Sequence, residues 1–370
     1  MSTRPPADVG MPVAEIETPA LLVDLEAYEH NLDLMAATLA GTPVRLRGHA
    51  KTHKCPTVAL HQIARGAVGS CCQKVSEAEA MVAGGVRNVL VSNEVVDRRK
   101  IERLVALARQ AEVAVCVDDP GNVDDLDAAA RAAGVRLPVL VEIDVGNLRC
   151  GVAPGEPAVA LARHVAATRG LRFAGLQAYY GRAQHINEVE KRRAAIETCI
   201  ADVRHTVDLL KRQGLACEMV SGAGTGSYRW EAASGVYNEV QAGSYCFMDV
   251  EYGLVEGFPR EFRQSLFVLA TVMSRPVPER AVVDAGLKAL SVDKGMPRVH
   301  GLGGVEFQRA SDEHGVLQLG DAGRSLALGD RVWLVPGHCD PTINLYDWYV
   351  AVRGGRVEAL WAITARGAVL

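Results

Sequence analysis

The sequence predicts a (β/α)8 barrel of the TIM type followed by an all-β domain. Three observations predict it. Short apolar runs alternate with Ala- and Leu-rich stretches of 3.6-residue periodicity between about residues 44 and 264. Eight such runs can be counted, the number at which a parallel sheet closes on itself. Beyond about residue 265 the helical periodicity gives way to β-rich runs. The eight runs are almost continuously apolar, as strands are when helices cover both faces. A doubly wound open sheet is the structural alternative, but no G-x-G-x-x-G follows the first run.

The expected barrel strands are 44–52, 69–75, 88–92, 113–117, 137–145, 173–180, 218–221 and 239–244. Helical periodicity fills 56–65, 76–83, 98–111, 123–133, 157–169 and 189–213 between them. Strand-like runs then follow at 265–273, 280–284, 331–335, 348–353 and 356–363, with helices no longer expected. Gly354-Gly355 between the last two is a hairpin signal. The early run 20–24 precedes the barrel and is expected to pair with the β domain. This places the barrel at 26–264 and the β domain at 1–25 and 265–370.

Composition narrows the function classes. A chain of 370 residues that is 49% apolar can bury an ample core. The net charge of −4 and the lack of a polybasic run argue against nucleic acid or an anionic membrane as partner. No apolar run is long enough to span a bilayer. The polar, proline-bearing start has no apolar core, so no signal peptide is expected. The nine cysteines form no C-x-x-C pair. Reduced, buried thiols in a cytoplasmic protein are expected, without a structural zinc.

Barrel enzymes place their chemistry at the C-terminal strand ends. Here those ends read Lys51, Gln73, Asn93, Asp118, residues 144–149, Tyr179, residues 222–227 and residues 243–245. Lys51 stands in His49-Ala-Lys51-Thr-His53-Lys54 at the mouth of the first strand. A desolvated lysine near other cations has a lowered pKa and can form a Schiff base with an aldehyde. A solvated basic loop is the plainer explanation, and Lys54 is the rival for the reactive amine. After the seventh strand comes Ser221-Gly222-Ala-Gly224-Thr225-Gly226-Ser227. Its glycines can turn backbone N–H groups toward an anion, and Thr225 and Ser227 add hydroxyl donors. Most Gly-rich loops are merely turns, but this one occupies the strand position where barrels build phosphate sites. Gly243, Ser244 and Tyr245 after the eighth strand can complete the cradle.

An amine on strand one beside a phosphate cradle on strand seven points to pyridoxal 5′-phosphate, which has both an aldehyde and a phosphate. Arg149 is then placed to face the ring's phenolate oxygen, or is an ordinary loop arginine. His49, Gln73 and Tyr179 can pack on or beside the ring, and Tyr179 can equally be core. In the β domain, Pro336-Gly-His338-Cys339-Asp340 sets an imidazole and a carboxylate two residues apart. On an extended segment the two point the same way, with Cys339 facing away. This pair suits an open, partly hydrated divalent cation such as Mn²⁺, Mg²⁺ or Zn²⁺. A capped turn is the plainer reading.

These residues together resemble a known family. The segments 49–56, 71–77, 144–151, 222–226, 312–315 and 336–341 are similar to those of the D-threonine aldolase and D-serine dehydratase family, fold-type III pyridoxal phosphate enzymes of alanine racemase-like architecture. The resemblance runs from about residue 15 to the C-terminus. It implies pyridoxal phosphate on Lys51, a divalent metal at His338 and Asp340, and a head-to-tail homodimer with shared active sites. Dehydratases of the family typically carry His-x-Cys and aldolases His-x-Asp, so this chain resembles the aldolases. The implied reaction cleaves a D-3-hydroxyamino acid, such as D-threonine, to glycine and an aldehyde, with His185 as the base for the β-hydroxyl. The alternatives are a 3-hydroxy-D-aspartate aldolase, a D-serine or 3-hydroxyaspartate dehydratase, and a non-catalytic cofactor carrier. Two departures stand out. Gly48 replaces a common proline, which is expected to loosen that turn, and Tyr180 replaces a common histidine.

Overall fold

A computed structural model describes residues 4–370; residues 1–3 of the expected 1–25 segment lie outside them. The chain forms two compact units. One comprises residues 35–51, 56–243 and 368–370, and the other residues 4–34, 52–55 and 244–367.

The first unit is the barrel. The strand Ala20–Asp24 is β1 and belongs to the other unit, so the barrel strands are β2 (Arg45–His49), β3 (Gly69–Cys72), β4 (Asn88–Glu94), β5 (Glu112–Val117), β6 (Leu137–Glu142), β7 (Leu171–Ala178), β8 (Met219–Gly222) and β9 (Glu239–Val240). All eight pair in parallel, and β9 closes on β2 with Arg45 opposite Glu239. The eight-strand count therefore holds. β2, β3, β6, β7 and β9 end two to four residues earlier than expected, and β2 and β9 bear on the site. β2 stops at His49, and Ala50–His53 is a helical turn, so Lys51 sits on a helix rather than on the strand. β9 is two residues long and is followed by a 3₁₀ turn at Ser244–Cys246.

The helices begin and end where local chemistry dictates. Asp97 and Asp119 cap Arg98–Leu107 and Pro120–Ala133 by accepting from the N–H groups of Lys100 and Asn122. Gly134 ends the latter helix in a left-handed conformation, φ +67°, that a side chain disfavours. Charge and amide layers cross the strands of the barrel. Arg47 on β2 makes a two-pronged ion pair with Glu239 on β9, at 2.7 and 2.8 Å. Gln241 bonds both Gln177 of β7 and Ser221 of β8. Both networks are buried and paired, as buried polar groups must be.

The second unit is built on a nine-stranded sheet. Its later strands are β10 (Leu266–Val277), β11 (Arg280–Val283), β12 (Arg298–Val299), β13 (Val305–Ala310), β14 (Gly315–Leu319), β15 (Arg331–Val335), β16 (Trp348–Arg353) and β17 (Arg356–Ala362). β1 lies between β10 and β16, antiparallel to the first and parallel to the second. Its pairing with this sheet is as expected. Gly354 and Gly355, at φ +54° and +76°, make the tight turn between β16 and β17. Ile16, Leu22, Phe267, Leu269 and Val350 pack together in the core. The contact-based division falls at 243/244, whereas the sequence suggests 264/265. Residues between the two points are tied to this unit: Asn31 Nδ2 donates to the Cys246 and Arg263 carbonyls, and Ser265 N–H donates to the Phe247 carbonyl. Helix is also present here, contrary to expectation: Cys339–Ile343 forms a helical turn. Among the described residues no helix is long and apolar enough to cross a membrane.

Candidate active site

β2 delivers the buried His49 to the barrel's C-terminal end, and the helical turn Ala50–His53 follows directly. Lys51 is half-buried, and its backbone N–H donates to His49 Nδ1 at 3.4 Å. The rival Lys54 takes a left-handed conformation, φ +51°, with its carbonyl accepting the Ala365 N–H. Pro56 biases the residue before it away from helix, which ends the turn. His53 is wholly buried, and burial pushes its ring down to about 3. Its Nδ1 accepts the Cys55 N–H, so the proton of the neutral ring lies on Nε2, a donor with no partner among the described residues.

After β8 the Gly-rich loop leads into the short helix Tyr228–Ala233. Gln184 shapes this loop from the turn Arg182–His185. Its Nε2 donates to Ser227 Oγ at 2.8 Å and its Oε1 accepts the Gly226 N–H at 2.9 Å. A Cβ on Gly224 would sit 2.6 Å from Gln184 Oε1, and one on Gly222 would sit 2.0 Å from the Ala178 carbonyl oxygen. These glycines therefore serve close approach. Ser227 Oγ donates to Glu231 Oε1 at 2.9 Å. The Ser227 hydroxyl and the Gly226 N–H are thus committed within the protein, contrary to the expectation that both face a phosphate. Thr225 is different: it is 1% exposed and its Oγ1 has no partner among the described residues. Glu231 is equally buried; burial pushes its carboxyl up to about 8, against the Ser227 hydrogen bond. Gly243 ends the segment after β9, while Ser244 and Tyr245 are buried in the 3₁₀ turn of the other unit, the Tyr245 ring packed on Phe262.

The loop after β6 presents Arg149. Asp144 Oδ1 accepts the N–H groups of Gly146 and Leu148, and Asp118 Oδ2 accepts that of Gly151. Arg149 lies 5.9 Å from the Tyr179 ring centroid and 3.7 Å from Glu142 Oε1. Glu142 is buried; burial and the neighbouring Glu94 raise its pKa, and Arg149 opposes the rise. Glu94, Asp118 and Cys150 also bring ligand-type atoms within 4.8 Å of one another. Glu94 and Glu142 escape the sequence reading, although an acid closing the apolar run 137–142 is a usable signal. Gln73 braces the neighbouring strand through Nε2 to the Ser92 carbonyl. His185 lies exposed in the turn Arg182–His185 after β7.

In the β domain, His338 holds the N-cap position of the helical turn Cys339–Ile343 without a side-chain capping bond, and Asp340 falls in its first turn. The two do not share a face through strand alternation, as the extended reading supposed. Asp249, 2% exposed, anchors the turn: Oδ2 accepts the Cys339 N–H and Oδ1 that of Tyr252. Thr342 Oγ1 donates to the His338 carbonyl. His338 Nδ1 is 2.9 Å from Asp293 Oδ2, and Ser291 Oγ donates to Asp293 Oδ1 at 2.7 Å. Burial works against the Asp293 anion, but the bonds from Ser291 and His338 prevail and lower its pKa. Cys339 is buried, and burial pushes its thiol well up. Neither Asp249 nor Asp293 is marked by any motif. Gly48 lies within β2 and not in a turn, and a Cβ there would sit 2.0 Å from Gln62 Oε1. The space is filled by the Gln62 amide, so the expected loosening has no structural basis.

Comparison with known proteins agrees with this architecture. Residues 23–251 match the alanine racemase N-terminal domain, and residues 265–352 match a putative serine dehydratase domain. The chain is 49% identical to a 3-hydroxy-D-aspartate aldolase of Paracoccus denitrificans (strain Pd 1222), over 98% of this chain and 95% of that one. It is 47% identical to a D-threonine aldolase of an Arthrobacter species, over 98% and 96%. The crystal structure of a D-threonine aldolase from Filomicrobium marinum superposes with a TM-score of 0.97 at 49% identity, covering 99% of this chain and 100% of that one. The chain belongs to the alanine racemase-like family, within the group that includes these D-3-hydroxyamino acid aldolases.

Proposed function

We propose that the protein is a carbon–carbon lyase that cleaves D-3-hydroxyamino acids to glycine and an aldehyde, with pyridoxal phosphate and a divalent cation as cofactors. Near-full-length identity of 46–49% to three aldolases is the observation that carries this reading. D-Threonine and 3-hydroxy-D-aspartate are the substrates those relatives suggest. The carboxylate of Asp340, where dehydratases of the resemblance carry a thiol, favours cleavage over elimination.

The residues present fit both cofactors. Thr225 Oγ1 is a buried hydroxyl with no partner among the described residues, as suits a donor kept for a phosphate. Lys51 would carry the cofactor's aldehyde, the loop around Thr225 its phosphate, and Arg149 its ring oxygen, with His49 and Tyr179 beside the ring. Pyridoxal phosphate, when bound, supplies the sink for the electron pair released as the Cα–Cβ bond breaks. His338 and Asp340 offer nitrogen and oxygen donors that suit Mn²⁺, Mg²⁺ or Zn²⁺, and such a cation supplies the Lewis acidity that makes the substrate hydroxyl more acidic. His185 accepts the β-hydroxyl proton. Lys51, in its ammonium form, gives a proton to Cα of the departing glycine and becomes the neutral amine. The seven buried thiols support a reducing, cytoplasmic setting, and the racemase-like resemblance supports a homodimer, which gel filtration tests.

Product analysis tests the reaction. Glycine with acetaldehyde from D-threonine, or with glyoxylate from 3-hydroxy-D-aspartate, is expected. Ammonia and a 2-oxo acid without glycine would assign the chain to the dehydratases instead.

A further inference from the structure

We infer that Asp293 is a positioning residue for the metal site: it fixes the ring of His338 so that Nε2 is the nitrogen offered to the cation. This rests on the reading that His338 and Asp340 hold a divalent metal.

A carboxylate oxygen only accepts, so the 2.9 Å contact between Asp293 Oδ2 and His338 Nδ1 places a proton on Nδ1. The lone pair of the neutral ring is then on Nε2. A carboxylate on the far nitrogen also makes a ligating histidine more basic and holds its plane. The geometry is secured from both sides. Ser291 Oγ occupies Asp293 Oδ1 at 2.7 Å, which leaves Oδ2 for His338. Ser291 N–H donates to Thr342 Oγ1 at 3.1 Å, and that same hydroxyl donates to the His338 carbonyl at 2.8 Å. One threonine thereby clamps the segment bearing Asp293 to the turn bearing His338. Gly337 completes the clamp: a Cβ there would lie 2.1 Å from the Gly295 carbonyl oxygen, so only glycine lets the two backbones approach this closely. The side chain of Asp293 is about half exposed and that of His338 is 22% exposed, so the pair is open to an ion arriving from solvent.

The test is calorimetric titration of Mn²⁺ into metal-stripped, cofactor-loaded enzyme: wild type, Asp293→Ala, Asp293→Asn and His338→Ala. Thermal midpoint and cofactor absorbance are recorded for each. Asp293→Ala is expected to bind Mn²⁺ roughly 10- to 100-fold more weakly with its cofactor absorbance unchanged, and to regain kcat at saturating Mn²⁺. Asp293→Asn, which keeps an acceptor without the charge, is expected to fall between, and it serves alone if the alanine variant does not fold. Wild-type Mn²⁺ affinity in both Asp293 variants would overturn the inference and leave the metal reading standing. Absence of Mn²⁺ binding by the wild type, or undiminished binding by His338→Ala, would overturn the metal reading and the inference with it.

Discussion

The loop after β8 and the turn after β15 are both short, polar and glycine-bearing, yet they are prepared in opposite ways. In the loop, Gln184 and Glu231 absorb the Gly226 N–H and the Ser227 hydroxyl, and the buried Thr225 Oγ1 finds no partner among the described residues. In the turn, Asp293 takes one nitrogen of His338 and so turns the lone pair to the other. The proposed anion site leaves a donor unpaired among the described residues, and the proposed cation site loads a ligand from behind. In both places the reactive atom lies in the motif, but a residue that shapes its surroundings, Gln184 for the loop and Asp293 for the turn, lies some 40 residues away.

This contrast predicts that the two regions fail separately. The largest effect is expected at the barrel. Lys51→Ala should lose activity by roughly a thousandfold or more and lose the visible absorbance of lysine-bound cofactor, while Mn²⁺ affinity in the β domain is unchanged. Lys54→Ala should keep that absorbance; the reverse pattern would move the covalent link to Lys54.

A smaller effect concerns Glu231, whose folded-state pKa stands near 8, well above the ordinary carboxylate value. Because the folded state holds the proton more tightly, the contribution to stability is present at low pH and is lost as pH rises toward 8, then stays level. The loss is at most about 1.4 kcal/mol per pH unit. Glu231→Gln removes the ionisation and keeps an acceptor for Ser227. Its melting temperature should therefore gain on the wild type between about pH 5 and pH 8. Parallel curves would show that Glu231 is ionised in the folded protein throughout.

Thr225→Val sharpens the contrast most finely. It removes a buried donor that has no partner among the described residues, so the cofactor-free protein should melt at the same temperature or higher. The loaded protein should release pyridoxal phosphate about tenfold more readily, the loss of roughly one charge-assisted hydrogen bond. Equal cofactor retention by variant and wild type would remove Thr225 from the phosphate site.

Much of the fold is legible in the chain, for a physical reason. Parallel strands covered on both faces must be apolar throughout, so runs such as 113–117 and 137–142 announce themselves. β13 does not, since it is the sheet's edge and mixes exposed polar residues with few buried ones. The turn at Cys339–Ile343 is hidden because its anchor is Asp249, 90 residues away in sequence. The site divides along the same line. Lys51, Thr225, Arg149 and His338 stand in local patterns whose composition suggests their chemistry. Gln184, Asp249 and Asp293 are defined by contacts across the fold, and no spacing rule reaches them; Glu231 meets Ser227 at a helical spacing of four. Glu142 lies between these cases, a lone acid at the end of an apolar strand.

Everything proposed for the site converges on one reaction, the breaking of the Cα–Cβ bond of a D-3-hydroxyamino acid. The most direct measurement is quantitative product analysis with D-threonine, using enzyme loaded with pyridoxal phosphate and Mn²⁺. Glycine and acetaldehyde in equal amounts, with no ammonia, is the predicted result. Ammonia and 2-oxobutanoate in place of glycine would contradict it.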